Sequence, residues 1–141
     1  MTRHFYKHMK ARRAGVIVNV IGNSGERMQS GYILGSTGNI GLMGLTRALG
    51  ARSPDFNVRV VGVNPGLIAT DRAQMMLRGY SESTFGTPDR WEEMLERMDL
   101  PFGRMGEAHE VADTVAFLAS PRASYVSGTV VTVDAGTSNR H

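Results

Sequence analysis

A chain of 141 residues is one domain's worth of polymer, long enough to bury a core of its own. Its 41% hydrophobic and 21% charged residues are ordinary for a globular protein, and no apolar run nears the roughly 18 residues that span a bilayer. The absence of cysteine excludes disulfides, thiolate catalysis and Cys-ligated zinc, and a net charge of +3 with bases scattered singly after residue 13 argues against a nucleic-acid groove.

The opening "MTRHFYKHMKARR" reads as the end of a helix, with Phe5 and Met9 at i,i+4 and bases toward the negative end of its dipole. It has no apolar h-region, so it is not a secretory signal; its acid-free basic composition leaves a mitochondrial transit peptide open, with the cytoplasm the expected location. His4 and His8 form a helical i,i+4 pair without an HExxH pattern, which reads as a solvated face, and no metal site is assigned. Gly15 is expected to close this helix. "VIVNVI" (16–21) is a continuous β-branched run, the pattern of a strand covered on both faces, followed by a Gly/Ser/Asn-rich loop, "GNSGERMQSG" (22–31).

From about Gly35 to Ala51 the pattern turns helical, with Ile40, Leu42, Met43, Leu45 and Leu49 apolar. "VRVVGVNPG" (58–66) is a second strand ending in a Pro-Gly turn, and 67–100 is a mixed stretch rich in Met and aromatics, broken by "GTPDR". A helix over 107–120 and a third strand over 127–136 complete a single unit, 1–141. Apolar strands alternating with helices predict an α/β fold with a parallel sheet, whose ligands bind outside the carboxyl ends of the strands. The loops after Ile21, Asn64 and Asp134 therefore line the candidate site.

Three stretches, "GVIVNVIGNSG", "RVVGVNPGLIATD" and "PFGRMGEAHEVADTVAFLASPRASYVSGTVVTVDAG", resemble the short-chain dehydrogenase/reductase family in order and spacing. The resemblance implies a partial Rossmann-like parallel sheet of about three strands with flanking helices, matching the C-terminal portion of the family domain and lacking its N-terminal half. It also implies an NAD(P)-dependent oxidoreductase, moving hydride between nicotinamide and an alcohol or ketone. The Gly-rich pyrophosphate turn, the adenosine-binding half and a helix-borne catalytic Asn belong to the part not matched. The edge of "VIVNVI" is then expected to need cover from a second copy or a partner chain.

The family pattern places a Ser after the "IVN" strand, then a Tyr, then a Lys four residues on. Counting forward from Asn19, and backward from "GLTRAL" (44–49), puts these positions at Gly22, Gly35 and Asn39. Tyr32, three residues early, is the one candidate acid/base group; with no lysine beyond residue 10, its tuning would have to come from an Arg or the helix N-terminus. The row Gly35, Gly38, Gly41, Gly44 is expected to admit a close helix–helix contact. For the cofactor, the resemblance assigns Pro65 and Gly66 to the wall beside nicotinamide, Ile68 to its carboxamide through the backbone, and Thr70 to the same group through its hydroxyl. Residues 67–100 correspond to the family's variable substrate lid; Met75, Met76, Leu77, Tyr80, Phe85, Trp91, Met94, Leu95 and Met98 there point to a lipophilic substrate or to cover for the core. The chain alone is expected to be inactive. The alternative is a non-catalytic relative acting as an oligomerisation or ligand-binding module.

Overall fold

The structure, a computed structural model, describes residues 1–28 and 30–140. Helix α1 (Thr2–Arg12) stops where Arg13 turns left-handed at φ 52°, so Arg13, and not Gly15, closes it. Gly15 opens strand β1 (Gly15–Val20). Helix α2 (Ile33–Arg52) starts two residues sooner than the sequence pattern placed it. Strand β2 (Val58–Pro65) follows a short turn, and the mixed stretch resolves into α3 (Asp71–Phe85) and α4 (Trp91–Glu96). Then come α5 (Ala108–Ala119) and β3, which shrinks to Val130–Val133 because its ladder to β2 spans only Gly62–Pro65.

All pairings are parallel, in the order β1-β2-β3. β2 is the centre, and its unbroken apolar run follows from that position: Val58, Val60, Val61 and Val63 are fully buried. Side chains alternate along it. Val61 and Val63 meet Leu118 and Ala123, with Val111 and Val115 of α5 around them. On the opposite side Asn64 meets Met43 of α2, and at Gly50 the same helix comes so close that a Cβ would collide with the Val60 carbonyl and the Gly128 amide. Arg59 ties the α5 layer to the sheet: its guanidinium donates to the carbonyls of Leu118 (2.8 Å) and Ser120 (3.0 Å) at the helix's negative end.

Helices α3 and α4 pack mostly on each other and on the turn between them. Leu77 and Ser81 are fully buried between α3 and the turn that follows, and Ser81 donates to the Thr87 carbonyl at 2.7 Å. Arg90 and Arg97 both stack on the ring of Phe85. Met75, Met76 and Tyr80 stay exposed. Among the described residues, no helix is long and apolar enough to cross a membrane.

Candidate functional site

The carboxyl ends of the three strands open onto one edge, and polar side chains lace their loops together. Ile21 extends the ladder by donating to the Val63 carbonyl at 2.8 Å, and the next amide, Gly22, donates to the side chain of Asn64 at 3.4 Å. Gly66 donates to Val133 at 3.0 Å, so β2 and β3 stay joined through the Pro-Gly turn. Asn23 reaches Ser138 (3.4 Å), and Thr132 donates to the Glu26 carboxylate (2.9 Å). Asp134 accepts from the amides of Gly136 (2.8 Å) and Ser138 (2.7 Å). Burial works against its charge, but the Ser138 and Gly136 hydrogen bonds outweigh that and hold it below the ordinary carboxylate range. The expected loop over 22–31 holds short 3-10 turns at Asn23–Gly25 and from Ser30; Gln29 lies outside the described residues.

The first turns of α2 bring two of the three expected catalytic positions, Gly35 and Asn39, to this edge, where Asn39 meets the third, Gly22, in the loop after β1. Asn39, where the pattern calls for a lysine, turns its amide inward and donates to Ser24 Oγ at 2.7 Å and to the Gly22 carbonyl at 3.3 Å. Ser24 is thus the hydroxyl nearest the vacant Ser position, two residues beyond Gly22. Ser36, one turn before Asn39, is buried with no partner for its hydroxyl among the described residues. Gly35 is not simply empty. A Cβ built there would fall inside the ring of Tyr32, onto Cε1 and Cζ, whereas Gly38, Gly41 and Gly44 have open space in that direction. Tyr32 stands at the N-cap of α2, and Arg72, in the first turn of α3, donates to its phenol oxygen at 3.2 Å.

The Pro65–Thr70 segment leads into α3, ending two residues before Arg72. Ala69 donates to the Gly106 carbonyl (2.8 Å) and Gly106 to that of Leu67 (3.0 Å), a short parallel bridge that leaves the Ile68 peptide facing the other way. Among the described residues, the Ile68 N–H has no acceptor, and its carbonyl meets only the Thr70 hydroxyl at 3.4 Å. Thr70 also caps α3, its Oγ accepting from Ala73 at 3.3 Å. The outward N–H and C=O of this one residue suit a primary carboxamide, which carries a carbonyl acceptor and an NH2 donor. These residues therefore fit the nicotinamide end of a dinucleotide.

On the far side of Ile68 lies a cavity of about 230 Å³, whose lining combines Leu67, Ile68, Leu100, Phe102 and Val133 with the polar Arg104, Glu110, Asp134 and Thr137. Two non-glycine residues at its edge, Phe102 (φ 56°) and Ala135 (φ 53°), hold left-handed backbone. Sequence reading missed Ser24, Asn64 and Arg72. Ser24 lay in plain view, but gap-free counting stopped at Gly22; Arg72 comes to Tyr32 across forty residues of chain, with no local signal to announce it.

A family model described as enoyl-(acyl carrier protein) reductase matches residues 1–138. Galactitol 2-dehydrogenase (L-tagatose-forming) of Cereibacter sphaeroides is 38% identical over 96% of the chain and 50% of its own length. The NADPH-dependent reductase BacG of Bacillus subtilis is 30% identical over 91% and 49%. Among solved structures, levodione reductase superimposes with a TM-score of 0.81 at 32% identity, over 99% of this chain and 53% of that one. An actinorhodin polyketide ketoreductase with NADPH gives 0.83 at 29%, over 94% and 50%. The chain spans about half the length of the curated relatives it matches.

Proposed function

The chain belongs to the short-chain dehydrogenase/reductase family, and on that premise we propose that it forms the nicotinamide- and substrate-side part of an NAD(P)-dependent oxidoreductase. The reaction is hydride transfer between nicotinamide and an alcohol or ketone. The observation that carries this reading is the outward-facing Ile68 peptide in the Pro65–Thr70 turn, with Gly66 packed against Asp134 behind it. Ile68 and Thr70 would orient the carboxamide of a nicotinamide held there and Pro65 and Gly66 would form the wall beside it, the ring supplying the hydride chemistry. The apolar part of the cavity beyond Ile68, together with exposed Met75, Met76 and Tyr80, supports a lipophilic substrate, with Arg104, Glu110 and Asp134 at the same cavity offering polar contacts.

By itself the 141-residue chain is inactive in this proposal, because it presents only one end of the cofactor's site. The test uses the end it does present: nicotinamide mononucleotide titrated into isotopically labelled chain. Saturable movement of the Ile68 and Thr70 amide signals is the expected result, without oxidation of the reduced mononucleotide when a ketone is added. If those signals stay still at millimolar ligand, the nicotinamide reading falls.

A second reading, a non-catalytic module that binds a ligand or a second copy, is favoured by Gly22, Gly35 and Asn39. The Asn39 amide is spent on Gly22 and Ser24, leaving no cation at that position to face a ribose. Open space beside Gly38, Gly41 and Gly44, next to exposed Ile40, Leu42 and Leu45, offers a second copy a place to pack.

A further inference from the structure

The loop from Asp99 to Arg104, on the rim of the cavity beside Ile68, is pinned at both ends. At one end Arg140 donates to the Asp99 carbonyl at 3.0 Å and pairs with its carboxylate at 2.6 Å. At the other, Arg104 holds Glu110, in the first turn of α5, through two hydrogen bonds. Between these anchors the backbone turns left-handed twice in succession, at Phe102 (φ 56°) and Gly103 (φ 64°). Glycine adopts that region freely, whereas a bulky side chain is disfavoured there. Phe102 adopts it while 85% exposed, although it borders a cavity with apolar walls. Its ring gains burial only by covering an apolar body that enters.

Ile68 forms another part of the wall. Its Cδ1 lies against Gly106, so that a Cβ built at 106 would meet it at 2.8 Å, and Gly106 carries both bridge hydrogen bonds to Leu67 and Ala69. The side chain that walls the cavity and the N–H and C=O that face outward therefore belong to one residue, braced on one glycine. In a close-packed contact of this kind, pressure on the side chain moves the peptide. Size and charge narrow the occupant. A dry cavity of about 150 Å³ lined by Leu, Ile and Phe holds one benzene ring, so about 230 Å³ takes one ring with a short substituent and no fused polycycle. Arg104 and Glu110 cancel each other, and Asp134 already has its donors in the amides of Gly136 and Ser138. An anion is repelled by the uncancelled Asp134, and a cation finds no carboxylate without a partner.

We propose that this cavity is the site of a compact, uncharged, single-ring lipophile, that Phe102 folds over it, and that its presence shifts the Ile68 peptide. The proposal rests on the lipophilic-substrate reading above and sharpens it, from a lipophile of any size to one ring without charge.

The test uses the full chain labelled at methyl groups and amides, where five isoleucines give five δ1 signals and Ile68→Val identifies one. Toluene is titrated in one arm and benzoate in the other. The expected result is saturable movement of the Ile68 δ1 and Val133 methyl signals with toluene, accompanied by the Ile68 amide, while benzoate leaves all three still. Phe102→Gly suits the left-handed backbone and keeps the turn; it should weaken toluene roughly three- to tenfold, the worth of one aromatic–aromatic contact. Stationary cavity methyls overturn the site. Toluene shifts confined to Met75 and Met76 also overturn it, while leaving a lipophilic substrate elsewhere on the lid. Equal affinity in Phe102→Gly overturns the cover, and a fixed Ile68 amide beside a moving δ1 methyl overturns the link between them. An equal response to benzoate overturns the uncharged assignment. Nicotinamide mononucleotide takes no part in these readouts, so its failure to bind counts against the nicotinamide reading alone.

Discussion

Gly35 owes its lack of a side chain to a neighbour three residues before it. In a helix interior, replacing Gly with Ala ordinarily gains up to about 1 kcal/mol. Here the added methyl meets an aromatic ring, and forcing it in should cost about 1–3 kcal/mol. Gly35→Ala is therefore expected to lower the melting temperature while Tyr32 is present, and to become neutral or stabilising when Tyr32 is Ser. Thermal unfolding of the four proteins of this cycle reads the change of sign directly. If Gly35→Ala behaves alike in both backgrounds, the ring does not sit where the structure places it. The sequence displayed the four-glycine row but not this division within it. Gly38, Gly41 and Gly44 share a period with Gly35, yet only Gly35 lies beneath a ring, because the helix begins at Ile33 and sets Tyr32 at its N-cap. Periodicity reports which residues share a face; it does not report which rotamer folds back over them.

α5 was legible almost to the residue, because its apolar period and its start signal agree. Glu107 accepts from the helix's third amide, while Glu110 accepts from the amide of Glu107 at 2.7 Å, a reciprocal cap. Arg104 adds a two-pronged ion pair to Glu110, at 2.8 and 2.9 Å. That guanidinium, with help from the Glu107 amide, pulls the Glu110 carboxyl from 4.5 down to about 2. A depressed folded-state value means the contribution is complete above about pH 4.5 and is lost as pH falls toward 2. Glu110→Gln should accordingly unfold at lower urea than the parent at pH 6, and the gap should close between pH 4.5 and 2. A gap that persists unchanged at pH 2 would mean the carboxylate is not its source. The lid was less legible for the opposite reason. The break at "GTPDR" was legible, since α3 ends on Gly86 at φ 75° and α4 starts at Trp91, but composition did not announce which face of these helices turns inward.

At the scale of the molecule, a central strand is satisfied on both sides and its neighbours on one. Among the described residues, β1 pairs with β2 alone. Since the Ile21 amide points to β2, alternation turns the amides and carbonyls of Val16, Val18 and Val20 outward. The same sheet geometry explains why the fold class could be read from apolar runs and their spacing, whereas the occupant of this edge could not: a strand's sequence looks the same whether its second neighbour is its own chain, a second copy or water. A row of unpaired backbone groups beside exposed Val20 is a template for another strand. The chain should therefore self-associate with rising concentration. Val20→Lys places a charge at that edge on a side chain already 58% exposed, so its effect on the fold itself should stay within about 0.5 kcal/mol. Sedimentation of the two proteins over a concentration series, with melting curves alongside, separates the possibilities. The lysine variant is expected to remain monomeric where the parent assembles, at an unchanged melting temperature. Equal assembly of both would move the association surface away from β1, toward the open glycine face of α2, where the corresponding disruption is Gly41→Leu.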